Sequence, residues 1–238
     1  RNKTFMKACV FGIPDFSFGK KALPDPRLKV IEELYRSQKV TQIQVEFTTE
    51  KDLKTADAIV CLDEKKLDLI ILDMEIVEGK LERQPPASEA GLLKRAQELL
   101  EKETPLSLGS FTEDEKKWLA NNNLVTIKPV IFISSAAFDD LPLLAKRAYD
   151  EGGRISFLTG GIKEARAWEI RKGATAVEAA HAIHSDLARG FIRAEVMAYN
   201  ELVKVGNVNQ AKSQGYLRQE GKDYIVQDGD VIEFKSGV

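Results

Sequence analysis

The chain has 238 residues, enough for one large domain or two modest ones, and 43% of them are apolar, which supports a real core. Lysine and arginine number 35 against 37 aspartate and glutamate, a formal charge of -2, which excludes nucleic-acid binding by bulk charge and leaves only a local patch. No run approaches the roughly 20 apolar residues of a membrane span, and residues 1–7 lack an apolar signal core, so a cytoplasmic protein with no membrane partner is expected.

Residues 6–11 read as a buried strand ending at Gly12 and Pro14. Pro24-Asp25-Pro26 marks a turn and a helix start, with Leu28, Ile31, Leu34 and Tyr35 at helical spacing. Residues 42–47 alternate, with Ile43, Val45 and Phe47 on one side, and residues 56–62 form a second apolar strand. This order of strands and helix belongs to an α/β sheet. Across 66–83, Leu67, Ile70, Ile71, Met74, Val77 and Leu81 recur at spacings of three and four, predicting one apolar helix face. Pro85-Pro86 breaks that helix, and Ser88 is placed to cap a second one reaching about Lys102, an αα-hairpin. Thr112 with Glu115 predicts a capping box ahead of Trp118 and Leu119. The apolar strand at 130–133 resumes the sheet, so the helical segment, about 66–124, is an insertion. A helix over 143–149 closes at Gly152-Gly153. Strands at 155–158, 165–171, 191–196 and 231–234 then surround a helix at 175–184, an α+β layout of β-grasp type.

Cys9 and Cys61 sit in apolar runs and lack CxxC spacing, which predicts buried thiols and no metal. His184-Ser185-Asp186 has the residue types of a hydrolase triad, but adjacent residues do not assemble that geometry; a helix-ending segment is expected. Asp228-Gly229-Asp230 reads as a turn with positive φ at Gly229, and Asp73, Glu75 and Glu78 as a solvated helix face.

Three blocks carry a specific resemblance: residues 166–173 (RAWEIRKG), 184–196 (HSDLARGFIRAEV) and 221–232 (GKDYIVQDGDVI). In this order they resemble the TGS domain of the Obg-like ATPases, the YchF subfamily of P-loop GTP/ATP-binding proteins. Upstream, Met6-Lys7-Ala8 leading to Gly12-Ile13-Pro14 is similar to the first strand of that family's nucleotide-binding domain. Pro24-Asp25-Pro26-Arg27-Leu28 and Gln38-Lys39-Val40 resemble the segment after its first switch. Asp57-Ala58-Ile59-Val60, the run from Asp73 to Glu78, and Lys128-Pro129-Val130 extend the likeness. The resemblance implies a shortened P-loop-like α/β domain over 6–153 and a TGS β-grasp domain over 154–238.

The motifs of phosphoryl transfer depart from the family pattern. A phosphate loop needs GxxxxGK[ST], whose amides, lysine and hydroxyl hold phosphates and Mg²⁺. Here six residues separate Gly12 from Gly19, and Lys21 follows Lys20 where the hydroxyl belongs. The first helix, the first switch and the Asp-x-x-Gly switch are absent, and the base-recognition motif Asn-x-x-Glu falls on Ser135-Ala136-Ala137-Phe138. The resemblance therefore implies a non-hydrolysing relative with no catalytic residue, no metal site and no cofactor, and Gly12, Gly19 and Lys20 as vestiges of a nucleotide site. Under the alternative, the chain is a nucleotide-binding protein or weak NTPase whose atypical phosphate loop still binds ATP or GTP with Mg²⁺. Arg166, Arg171, Lys172, Arg189, Arg193 and Lys222, interleaved with Trp168, Phe191 and Tyr224, are the basic and aromatic residues expected to meet a ribosome or structured RNA. A second copy of the chain, making a homodimer, is one candidate to cover apolar surface left by the missing switches.

Overall fold

A computed structural model describes residues 5–134 and 140–237. Strand β1 (Met6–Phe11) leads through a loop into β2 (Gly19–Leu23). Helix α1 (Arg27–Tyr35), β3 (Val40–Thr41), β4 (Ile43–Thr48) and β5 (Ala58–Leu62) follow. The helical segment comprises α2 (Lys66–Leu81), α3 (Ala87–Glu101) and α4 (Glu113–Asn121), after which come β6 (Val130–Ile133) and α5 (Leu141–Glu151). The rest is β7 (Arg154–Gly160), β8 (Ala165–Arg171), α6 (Ala176–Ile183), α7 (Ser185–Arg189), β9 (Phe191–Ala198), α8 (Tyr199–Val205), α9 (Val208–Ser213), β10 (Arg218–Glu220) and β11 (Asp230–Ser236). The architecture is mixed α/β with two sheets.

The chain divides into two compact units, one made of residues 6–21 and 45–152, the other of residues 22–44 with the chain from Gly153 onward. Residues 22–44, read in the sequence as part of the amino-terminal domain, thus pack with the carboxy-terminal unit. In the first unit the sheet order is β2-β4-β1-β5-β6, and β4, β1, β5 and β6 run parallel. Parallel strands are covered on both faces, so β5 is buried at all five positions and reads as an unbroken apolar run. Beside it the helical hairpin builds its own core from Ile70, Val77, Leu93, Ala96, Leu100, Leu106 and Leu119. The capping box at Thr112 and Glu115 is present at the start of α4. Helix α3 begins at Ala87 behind Pro86, and no side chain caps it, so Ser88 lies inside the helix and does not act as its cap.

Two details of α2 depart from the expected apolar face. Leu67 and Ile71 are half exposed, whereas Leu69, Ile70, Asp73 and Val77 are buried. Asp73 is therefore no part of a solvated face. Its carboxylate accepts from the Val125 N–H at 2.7 Å, the Thr126 N–H at 2.8 Å and the Thr126 hydroxyl at 2.6 Å. These bonds pin the segment after α4 to α2, satisfying buried donors. Burial raises the Asp73 pKa despite those three bonds.

In the second unit the sheet order is β10-β9-β11-β7-β8-β3. β7 and β8 form an antiparallel hairpin with Phe157 opposite Trp168, and β11 joins β7 in parallel and β9 in antiparallel pairing. Helix α6, held at its start by a Thr175–Glu178 capping box, contributes Ala176, Ala179 and Ala180 to a core with Phe157, Ile170, Phe191 and Val196. Small alanines let the helix approach the sheet closely. Helix α1 packs on β7 and β8, and β3 extends the sheet in parallel along β8.

Segment 25–27 is fastened to this sheet by one guanidinium. Arg27 Nη1 donates to Asp228 Oδ2 at 2.8 Å, and Nη2 to Asp25 Oδ2 at 2.7 Å and Ser156 Oγ at 2.9 Å. Asp228 Oδ1 in turn accepts from the Ser156 N–H at 2.9 Å. Gly229 has φ +84, as expected, and a Cβ there would lie 2.7 Å from Arg27 Nη1, so the missing side chain makes room for the guanidinium. Among the described residues, no helix is long and apolar enough to cross a membrane.

Candidate functional site

The loop after β1 is the first place to seek a ligand, because parallel sheets bind ligands beyond the carboxyl ends of their strands. Gly12 follows β1 with φ +72, and its N–H donates to Glu50 Oε1 at 2.8 Å, so a carboxylate of the same chain holds that amide. A Cβ on Gly12 would sit 2.5 Å from Lys65 Cγ, which shows how closely that side chain is laid across the loop. Phe16 packs edge-on to Phe47 at 5.2 Å and Phe18 packs on Phe16 at 5.4 Å, giving the loop an aromatic anchor. Gly19 opens β2 and Lys20 is exposed within it. Lys21 Nζ donates to Ser17 Oγ at 2.8 Å. The loop therefore runs from strand to strand, and no helix start follows it. The base-recognition position, 135–138, lies outside the described residues.

Cys9 and Cys61 are both buried, on adjacent strands, and free of disulfide. Burial pushes both thiols up to about 12, with nearby carboxylates (Glu50 for Cys9, Asp63 for Cys61) adding to the effect. Among the described residues no group of three His, Cys, Asp or Glu side chains is arranged to hold a metal ion.

The basic and aromatic residues of the carboxy-terminal unit separate into two kinds. One kind is engaged within the chain. The Arg166 guanidinium lies 3.8 Å from the centroid of the Trp168 ring, and Trp168 Nε1 donates to Thr159 Oγ1 at 3.0 Å. Trp168 thus belongs to the core edge, stacked beside Phe157. Arg193 Nη2 donates to Glu195 Oε1 at 2.9 Å, and Arg189 pairs with Asp186. The Tyr224 hydroxyl donates to Asp230 Oδ2 at 2.7 Å while Arg218 Nη2 donates to the Tyr224 oxygen at 3.1 Å. Partial burial and the Asp230 carboxylate push the Tyr224 phenol up to about 12.

The other kind is exposed. Arg171 is the last residue of β8, Lys172 follows it, and Lys222 stands on the segment that backbone bonds stitch to the start of α6: Ala176 N–H to Tyr224 O at 2.8 Å, Val177 N–H to Lys222 O at 3.2 Å, and Val226 N–H to Ala174 O at 3.0 Å. Ile225, 44% exposed, lies between them on the same stretch. Three cations and one exposed apolar side chain thus share one end of the unit. Arg218, which no motif in the sequence marks, adjoins it through the Tyr224 ring at 5.4 Å. The sequence signal for Arg218 is faint, since it is a single cation between Leu217 and Gln219 with no motif around it.

The family model YchF-GTPase_C, described as a protein of unknown function (DUF933), matches residues 154–237. The ribosome-binding ATPase YchF of Bacillus subtilis (strain 168) is 30% identical over 247 residues, covering 76% of this chain and 68% of that protein. The chain belongs to the YchF/Obg-like ATPase family. Shorter matches reach higher identity. The ribosome-binding ATPase YchF of Haemophilus influenzae is 53% identical over 83 residues, 35% of this chain and 23% of its own length. Obg-like ATPase 1 of Pongo abelii is 46% identical over 95 residues, 40% of this chain and 24% of its own length. The structure of the Schizosaccharomyces pombe YchF GTPase superposes with a TM-score of 0.81 at 19% identity, over 99% of each chain, which places this fold among YchF folds.

Proposed function

We propose that this chain is a nucleotide-independent member of the YchF/Obg-like family that acts in the cytoplasm by binding the ribosome or structured RNA, with its carboxy-terminal unit serving as a TGS-type module. The observation that carries the reading is the loop from Gly12 to Lys21. A phosphate loop presents free amides and a helix start to the phosphates. Here the Gly12 amide is bound to Glu50, and the loop passes into β2. Lys21 stands where a Mg²⁺-binding hydroxyl would be needed, and its ammonium is spent on Ser17. The residues present do not fit ATP or GTP with Mg²⁺. The relatives named ribosome-binding ATPases support the ribosome as partner, and the exposed Arg171, Lys172 and Lys222 supply the phosphate-facing charge.

Co-sedimentation of the full chain with ribosomal particles over a salt series tests the reading. Binding that weakens as salt rises, and is unchanged by added ATP or GTP, is expected. No binding at any salt would sink it. Titration with labelled ATP and GTP, with and without Mg²⁺, separates it from the alternative, since micromolar affinity lost on Lys20→Ala would establish an atypical nucleotide site.

A further inference from the structure

Helix α2 carries a stripe that its own hairpin leaves uncovered. Positions 67, 71, 75, 78 and 82 fall on one face of an α-helix, because residues three and four apart lie above one another. They are Leu67, Ile71, Glu75, Glu78 and, at the C-cap, Glu82, and all five are exposed. Leu67 is 49% and Ile71 50% exposed, with Leu72 at 37% beside them. Glu75, Glu78 and Glu82 form no ion pair among the described residues, and Asp68 on the flank is paired only with Lys65, at 2.7 Å. No Lys or Arg lies on the stripe. It is apolar toward the amino end of α2 and anionic toward the carboxyl end.

That charge pattern selects the occupant. A phosphate backbone is repelled by a row of unpaired carboxylates. A second copy docked through the same stripe would set carboxylates against carboxylates, or against Leu67 and Ile71, and would leave them desolvated without a partner. A basic segment with apolar anchors satisfies both halves at once. We propose that the α2 stripe docks an amphipathic, lysine- or arginine-bearing protein helix, whose apolar side chains cover Leu67, Ile71 and Leu72 and whose cations meet Glu75, Glu78 and Glu82. This is helix-against-helix recognition by spaced anchors, with charge setting the direction in which the partner lies.

The test is fluorescence anisotropy of a labelled 18-residue leucine–lysine helical peptide titrated with the full chain at physiological salt. Saturable binding is expected, weakened at least tenfold by Ile71→Ser and by the pair Glu75→Lys and Glu78→Lys. A leucine–glutamate peptide should bind that lysine variant and not the unaltered chain. The pair Glu98→Lys and Glu101→Lys, on exposed positions of α3, makes the same change in net charge and should leave lysine-peptide binding within twofold. Thermal melts of every variant verify the fold, which exposed substitutions preserve. The proposal is overturned if the α3 pair weakens binding as much as the α2 pair, if Ile71→Ser has no effect, or if the peptide does not bind at all. It is equally overturned if a structured RNA competes for the stripe, or if the chain forms a dimer that Ile71→Ser abolishes.

Discussion

Arg27 and Asp228, 201 residues apart in sequence, meet at 2.8 Å. Burial works against the charge on Arg27, yet its bonds to Asp25 and Asp228 outweigh it and raise the pKa. Asp228 shows the mirror effect. Half-burial works against its charge, and the Ser156 backbone and Arg27 nonetheless hold its carboxyl below the usual range. A depressed carboxylate contributes stability that is present above the unfolded pKa, near 4, and is lost as pH falls through the folded value. Asp228→Asn should therefore destabilise the chain at pH 7 and flatten its loss of stability below about pH 4. Asp228 is half exposed, so solvent screening keeps the effect at pH 7 to about 1 kcal/mol. Urea melts at pH 7 and pH 3 measure both.

Gly229→Ala tests the space left for that guanidinium. The positive φ costs an alanine about 1 kcal/mol, and the new Cβ displaces Arg27. Combined with Arg27→Ala, the two losses should sum to less than their separate values, because the clash has no partner left. Thermal melts of the four-member cycle decide it.

Asp73 offers a stability test in the other unit. Asp73→Asn keeps the size but turns an NH₂ toward N–H donors, so roughly 2 kcal/mol should be lost through unmet buried bonds. Asp73→Ala should cost more, about 3 kcal/mol, by leaving Val125 and Thr126 donors bare. Equal stability of Asp73→Asn and the unaltered chain in urea would remove the role given to this carboxylate.

Cys9 and Cys61, with thiols near 12, are almost wholly protonated at pH 8. A thiol-specific disulfide reagent should release no thiol equivalents from the native chain on the minute scale and two after addition of denaturant. Rapid native labelling would contradict the burial of β1 and β5.

The engaged and exposed cations of the carboxy-terminal unit should behave differently on mutation. Lys172→Ala with Lys222→Ala should leave melting unchanged and lower the salt slope of ribosome binding by roughly one per lysine. Arg193→Ala should instead destabilise, because Glu195 is 8% exposed and loses its closest partner.

What the sequence reveals depends on how a residue is held. β1 and β5 are legible because parallel strands buried on both faces need unbroken apolar runs. β2 (Gly19-Lys20-Lys21-Ala22-Leu23), β3 (Val40-Thr41) and β10 (Arg218-Gln219-Glu220) are not, since all three are short strands at sheet edges, joined by backbone bonds that leave no periodicity. Helices α8 and α9 escape for a similar reason, with one buried side chain each, Leu202 and Ala211. At the candidate site, the residue types of Arg193 and Tyr224 are plain, but Glu195, two residues on along β9, and Asp230, six residues on, engage them, and residue type alone does not show which cations are taken up in this way. Asp73 looks like a surface acid because its donors lie 52 and 53 residues downstream.

The division of the chain carries a consequence for biosynthesis. Leu28 and Ile31, 1% and 0% exposed, belong to α1, which packs on β7 and β8. During vectorial synthesis that helix emerges well before its sheet exists, and its apolar side must wait for the intervening segment to be made. The unit is thus a late folder with high contact order. Ribosomes stalled between Tyr35 and Gly160 would hold a nascent chain with an orphaned amphipathic helix, a natural client for a chaperone.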